Sequence, residues 1–96
     1  MKAVLIVHNS AIDSEVTEAL TEIGIDRYTK FPNTLGKGGS SPPHFNTPVW
    51  PGLNTVTMVI VEPAKAGEVM QAVYRMRQKL GTEGIKAFMW QIEEVT

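Results

Sequence analysis

The nine residues TVTMVIVEP, numbers 55–63, place a strand directly before a helix and so set the order of elements in this chain. From Thr55 to Val61 the run is apolar or β-branched throughout, a composition that favours a strand. Pro63 follows at once, and proline is typical of the first turn of a helix. The stretch therefore predicts a strand at Thr55–Val61 and a helix that opens at Glu62–Pro63.

Downstream, the sequence predicts the rest of this helix and one more strand. Apolar residues recur at helical spacing from Ala66 to Leu80, and positive charge accumulates toward the helix end. Gly81 and Gly84 bracket a turn after it. Lys86–Ile92, with the sequence KAFMWQI, predicts the last strand.

Upstream, the first half of the chain repeats the alternation of strand and helix. Lys2–Val7 is a short run rich in β-branched residues and predicts a strand. Apolar residues at helical spacing then predict a helix at Ala11–Ile23, stopped by Gly24. Ile25–Phe31 mixes aromatic and β-branched residues and predicts a strand that ends at Pro32.

The resulting order, β-α-β-β-α-β, predicts an α+β, ferredoxin-like fold: a four-stranded antiparallel sheet with two helices on one face, as a single domain over residues 1–96. The first strand is apolar at every position from Ala3 to Val7, whereas a sheet with one face in water alternates apolar and polar residues. We therefore expect the second face to pack against another copy of the chain.

Composition narrows the functional classes. The chain has 96 residues, a net charge of −1 and no cysteine, which excludes disulfides, thiolate metal sites and a cysteine nucleophile and leaves no electrostatic footprint for nucleic acid. The apolar run at the N-terminus stops at His8, too short for membrane insertion or a signal peptide. No catalytic constellation is present. We expect a cytoplasmic protein that is not an enzyme.

The long loop Asn33–Gly52 holds four of the six prolines and four of the eight glycines. A loop of this length in a compact domain is usually functional or disordered. At its start lies Gly36-Lys37-Gly38-Gly39. Glycine lets backbone N–H groups approach a phosphate and Lys37 could supply a charge, while the alternative is a plain flexible hinge.

His44 is the most distinctive residue of this loop. It lies between Pro43 and Phe45, and Phe45 and Trp50 give the loop an apolar surface that could contact another protein. His44 could bind a divalent metal, with His8 and Glu83 as partners. In the alternative it is an ordinary loop histidine whose aromatic neighbours pack on an adjoining subunit.

His8 follows the first predicted strand. Its simplest interpretation is a strand-terminal residue that is hydrogen-bonded to the cap of the first helix. Ser10 or Asp13 is predicted to provide that cap.

One segment carries a resemblance to a known family. EVTEALTEIGI, Glu15–Ile25, is similar to the first helix and following turn of the PII signal-transduction proteins. The resemblance implies a homotrimer whose open sheet faces pack around a central axis. It also implies that the connection between strands 2 and 3, residues 33–54, is a T-loop that responds to ligands.

The resemblance further implies an adenine nucleotide bound in clefts between subunits. The first group of candidate residues is Gly36, Lys37, Gly38 and Gly39, from one subunit. The second is Gly84 and Lys86, from its neighbour, in the segment GTEGIK, residues 81–86. The chain is thus expected to be a divergent PII-like regulatory trimer that contacts a protein target through residues 33–54.

Two other interpretations stay open at this point. The chain could resemble the CutA-type divalent-cation tolerance proteins, which share the fold and assembly, with His44 as the metal ligand. Alternatively, the loop could simply clasp the adjacent subunit.

Overall fold

The computed structural model describes residues 1–36, 53–80 and 84–96. Its elements in chain order are β1 (Lys2–Asn9), a 3₁₀ turn (Ser10–Ile12), α1 (Asp13–Glu22), β2 (Thr29–Thr34), β3 (Asn54–Val61), α2 (Pro63–Leu80) and β4 (Ile85–Gln91). The strands form one sheet of order β2-β3-β1-β4, and every neighbouring pair is antiparallel. The predicted α+β fold is confirmed.

β2 differs from its predicted range at both ends. The strand begins at Thr29, four residues later than predicted, and continues through Pro32 to Thr34. Proline lacks a backbone N–H, but β2 is an edge strand, and its pairing with β3 shifts register between Phe31 and Thr34. Proline is tolerated in such irregular edge strands, so Pro32 does not end this one.

The capping prediction for the first helix is wrong. β1 runs on to Asn9, whose Oδ1 accepts a hydrogen bond from the Ala11 N–H at 2.9 Å. Asn9 therefore caps the 3₁₀ turn that precedes α1. Ser10 instead shares a hydrogen bond with the Thr55 hydroxyl at 2.8 Å. α1 itself begins after Ile12 without a side-chain cap, so neither Ser10 nor Asp13 caps its N-terminus.

The core lies between the two helices and one face of the sheet. Its buried residues come from β1, α1, the connection between α1 and β2, β3, α2 and the start of β4, and include Val4, Ile6, Val16, Leu20, Ile25, Val59, Ala66, Val69, Val73 and Ile85. Lys65 of α2 donates a hydrogen bond from Nζ to the Ile23 carbonyl at 2.7 Å, at the C-terminal end of α1. The two helices are thus joined by a polar bond as well as by apolar packing.

The opposite face of the sheet is apolar and uncovered in the single chain. Cross-strand register aligns Ile60, Ala3 and Trp90 in one row and Met58, Leu5 and Phe88 in the next. Phe31 pairs with Val56 in a third row. Phe31, Phe88 and Trp90 remain 45–47% exposed. We call this surface, defined by Leu5, Phe31, Met58, Ile60, Phe88 and Trp90, the open sheet face.

None of the helices in the described residues is long and apolar enough to cross a membrane.

Replacing two glycines by alanine should change the stability of the chain in opposite directions. In α2, a Cβ at Gly67 would meet no atom within 4 Å. Gly67→Ala should therefore raise the free energy of unfolding by about 0.5–1 kcal/mol, because alanine is the better helix former. Gly24 has φ +82°, a left-handed backbone conformation that is unfavourable for a residue with a Cβ. Gly24→Ala should therefore lower the free energy of unfolding by roughly 1–2 kcal/mol. Urea unfolding of both variants measures the difference, and a loss of stability in Gly67→Ala would contradict the helix assignment.

Candidate functional site

The two segments that were predicted to bind a ligand lie at the same end of the sheet, across the ends of its strands. Thr34 at the end of β2 pairs with Asn54, and Asn54 pairs with Asn9 at the end of β1. The Asn9 N–H then donates to the Gly84 carbonyl at 2.9 Å. Gly36, two residues after Thr34, lies against the Asn54 side chain. We call the four residues Gly36, Asn54, Asn9 and Gly84, which lie across the ends of the strands, the glycine edge.

The two glycines of this edge are separated by the ends of two strands. Neighbouring strands lie about 4.8 Å apart, so β2 and β4 are roughly 14 Å apart across the sheet. Gly36 is tightly placed, because a Cβ there would lie 2.7 Å from Asn54 Nδ2. Gly84 is open, with no atom within 4 Å of an added Cβ. One end of the edge is thus sterically fixed by its neighbour and the other is accessible.

Lys86 lies just inside β4, where it pairs with Val7. Its Nζ is 5.5 Å from the centroid of the Phe88 ring, a cation–π distance. Lys86 is exposed, follows Gly84 by two residues, and places its ammonium group over the open sheet face. The remaining predicted site residues lie outside the described part of the chain: Lys37, Gly38, Gly39, His44, Phe45, Trp50 and Glu83.

Asn9 and Asn54 are members of this edge that the sequence reasoning did not identify. Each is an asparagine at the terminus of a strand, and the strand pairing places them opposite one another. Asparagine at a strand end is a common turn residue, so the pattern alone gave no reason to associate the two. The register of β1 with β3 is the signal that identifies them.

Behind the glycine edge lies a buried polar cluster centred on His8. The His8 side chain is 1% exposed. Its Nδ1 lies 3.2 Å from the Asn9 carbonyl oxygen and its Nε2 lies 3.0 Å from Thr57 Oγ1. His8 therefore contacts Asn9, the residue that caps the 3₁₀ turn. The sequence had predicted a cap at Ser10 or Asp13 instead.

Asp13 and Lys30 complete this cluster. Asp13 Oδ1 is 3.6 Å from His8 Nε2 and 2.7 Å from Lys30 Nζ. Lys30 also donates to Thr17 Oγ1 at 2.6 Å. Burial lowers the pKa of His8 from its ordinary value of 6.5, an effect that the Asn9 carbonyl and the Asp13 carboxylate oppose and the Lys30 charge reinforces.

His8 is poorly suited to bind a metal. Both ring nitrogens have hydrogen-bond partners within the protein. Among the described residues, no group of three or more His, Cys, Asp or Glu side chains could hold a metal ion. The proposed metal partnership of His8 with His44 therefore has no support from the His8 side.

A comparison with models of protein families identifies the family to which this chain belongs. The model of the family described as nitrogen regulatory protein P-II matches residues 1–96. The chain belongs to the P-II family. This family is described as regulatory, and the match favours it over the CutA-type interpretation. A search of curated proteins found no match.

Solved structures of P-II-like proteins share the fold. CPII from Thiomonas intermedia K12, bound to ADP and bicarbonate, superposes with a TM-score of 0.71 at 16% identity, covering 97% of this chain and 88% of that one. Its apo form gives 0.70 at 18% identity, covering 93% and 85%. A protein from Thermus thermophilus described as a PII-like signalling protein gives 0.65 at 22% identity, covering 93% and 82%.

The glycine edge of this P-II protein can be tested through its two ends. Gly36→Ala should lower the free energy of unfolding by about 1 kcal/mol, because the new methyl group displaces the Asn54 amide. The paired control, Gly84→Ala, adds a methyl group to open space and should change stability little. Urea unfolding measures both. Equal losses would contradict the steric difference, and Asn54→Ala should rescue the first variant.

His8 should make the stability of the P-II domain depend on pH. Its pKa is lower in the folded chain than in the unfolded one, so as pH falls through 6.5 the unfolded chain binds a proton before the folded chain does. The free energy of unfolding should therefore decrease as pH falls from 6.5 toward the folded pKa. Urea unfolding across this range measures the decrease.

The two histidines provide the matched variants for this experiment. His8→Gln should remove the decrease, whereas His44→Gln should retain it. A decrease that persists unchanged in His8→Gln would show that another group is responsible.

Proposed function

We propose that this P-II protein is a regulatory homotrimer that binds an adenine nucleotide beside the glycine edge and signals through residues 33–54. The observation that carries the proposal is that Gly36 lies against Asn54, while Asn54 pairs with Asn9 and Asn9 is hydrogen-bonded to Gly84. CPII, which has the same fold, is bound to ADP in one structure and to ADP and AMP in others. The family description supports a regulatory role without catalysis.

The open sheet face is the surface through which the trimer would form. Its rows of Ile60, Ala3, Trp90 and of Met58, Leu5, Phe88 contain no charged side chain. Exposed contiguous apolar surfaces of this kind are typical of protein interfaces. Packing these faces together would remove the phenyl and indole rings from water and leave the helices outside.

The ligand would lie where the glycine edge of one subunit meets its neighbour. Gly36 and Gly84 both belong to the glycine edge of a single chain, so we assign both to the same side of this cleft. Glycine backbone N–H groups can approach phosphate oxygens closely, and a lysine ammonium adds a compact positive charge. Lys86 fits this role because it is exposed and close to the edge, and Lys37 is the second candidate.

The position of the ligand would also explain its effect on the loop. Residues 33–54 leave the sheet after Thr34 and return at Asn54, and those two residues are paired. A ligand at this edge would therefore contact the base of the loop on both sides. Differential contacts in two loop states are sufficient for a switch, with Phe45 and Trp50 offered to a cytoplasmic protein target in one of them.

The ligand is tested by native mass spectrometry with ADP, ATP and AMP added separately. A trimer that takes up three nucleotides is expected. Lys86→Ala should weaken binding about tenfold, because a phosphate contact to a charged donor is lost. The matched control is Lys79→Ala, which removes an exposed lysine from the last turn of α2. A trimer that binds none of these nucleotides would contradict the proposed ligand but support the proposed assembly.

The assembly is tested by placing a charge on the open sheet face. Phe88→Asp should convert the trimer to monomers, because burying an unpaired carboxylate in an apolar interface is strongly unfavourable. Tyr74→Asp is the matched control, since Tyr74 is an exposed aromatic residue on α2. Analytical ultracentrifugation measures both variants, and a Phe88→Asp trimer would contradict the proposed interface.

A further inference from the structure

We propose that His8, Asp13 and Lys30 form a proton-sensitive switch that controls how firmly β2 is held to α1. The consequence of this switch for ligand binding at the glycine edge rests on the proposed function. The switch itself concerns the ligand-free chain and can be tested without a nucleotide.

The hydrogen bonds define the neutral state of His8. A carbonyl oxygen can only accept, so the contact of Nδ1 with the Asn9 carbonyl at 3.2 Å requires a proton on Nδ1. Nε2 is then free of a proton and accepts from the Thr57 hydroxyl at 3.0 Å. In this state, among the described residues, Asp13 Oδ1 is hydrogen-bonded to Lys30 alone, at 2.7 Å, and its 3.6 Å separation from His8 is not a hydrogen bond.

Protonation of His8 changes the competition for Asp13. Nε2 then carries a hydrogen atom and a share of the positive charge, and Asp13 Oδ1 is the nearby carboxylate oxygen. A movement of a few tenths of an ångström would make that contact a charge-assisted hydrogen bond. The same oxygen now faces two cations, so its bond to Lys30 weakens.

In the part of the chain that the structure describes, the charged groups around His8 come from two elements. Asp13 is in the first turn of α1 and Lys30 is on β2. β3 contributes the hydroxyl groups of Thr55 and Thr57, which carry no charge. On the β4 side His8 pairs with Ile85, whose carbonyl accepts from the Arg77 guanidinium of α2. Arg77 is thus held by a backbone oxygen, and among the described residues Asp13 is the carboxylate that lies beside His8.

β2 depends on this ion pair more than the other strands do. None of its residues is buried, and it contributes none to the hydrophobic core. Among the hydrogen bonds of the described residues, those from Lys30 to Asp13 and Thr17 join β2 to α1. Weakening them would leave β2 attached through its pairing with β3. Because β2 leads into residues 33–54, proton uptake would loosen the base of this segment.

Nuclear magnetic resonance of the ligand-free protein tests the switch. The His8 ring signals and the amide signals of Lys30 and Phe31 are followed from about pH 8 to about pH 5, the range in which histidines titrate. We expect the β2 amides to shift with the same midpoint as the His8 ring. Their hydrogen exchange, corrected for the intrinsic pH dependence, should become about fivefold faster below that midpoint, the loss expected for one part-buried ion pair.

Two variants isolate the cause. Asp13→Asn should leave β2 loosened at every pH, so that its amides no longer follow His8. Glu15→Gln removes a neighbouring exposed carboxylate from the same helix turn and should retain the coupling. Asp13→Asn leaves the buried His8 side chain in place, so the test does not depend on a core substitution that could unfold the chain.

Three results would overturn the proposal. The first is a His8 ring that titrates while the β2 amides remain unchanged. The second is coupling that persists in Asp13→Asn, and the third is a His8 ring that stays neutral throughout the range in which the chain is folded. Since no nucleotide is present, any of these results would leave the ligand and the trimer of the proposed function standing.

Discussion

The apolar character of β1 on both of its faces is the constraint on which the rest of the structure depends. β1 lies between β3 and β4, and its side chains point alternately toward the helices and toward the open sheet face. Val4 and Ile6 are covered by the helices, whereas Leu5 is flanked by Met58 and Phe88 on the other face. Two helices can satisfy only half of this apolar surface. The other half is the surface that the proposed trimer would cover.

The same strand also organises the functional end of the molecule. Its last two residues are His8, which is buried in the polar cluster, and Asn9, which pairs with Asn54 and donates to Gly84. The apolar part of β1 thus fixes the sheet, and its polar terminus joins the loop base, the turn before β4 and the first helix. Stability and the candidate site share one strand, so substitutions at its end should affect both.

The order of elements could be predicted from the sequence because strong local signals agreed. The β-branched run at 55–61, the helical spacing in both halves and Pro63 each indicate one structure without help from distant residues. β2 was less predictable, since its limits depend on its pairing with β3. Proline ends most central strands, but Pro32 is tolerated because β2 lies at the edge of the sheet. The cap at Asn9 was missed for a similar reason, because β1 extends two residues beyond its apolar run.

The candidate site was only partly predictable. Glycines at 36 and 84 could be selected from the sequence, but their alignment requires the register of three pairings, which no local pattern contains. The contact of His8 with Asp13 and Lys30 is of the same kind, since it joins residues from three elements. The irregular pairing of β2 with β3 made this strand hard to predict, and it also affects how copies of the chain can associate. Head-to-tail addition of sheets would pair β4 of one copy with β2 of the next, and such a contact could repeat without end. Pro32 and the shifted register make β2 a poor acceptor for that contact. The sheet thus resists repeated head-to-tail growth into a fibre, whereas the trimer that we propose would close on itself through the open sheet face.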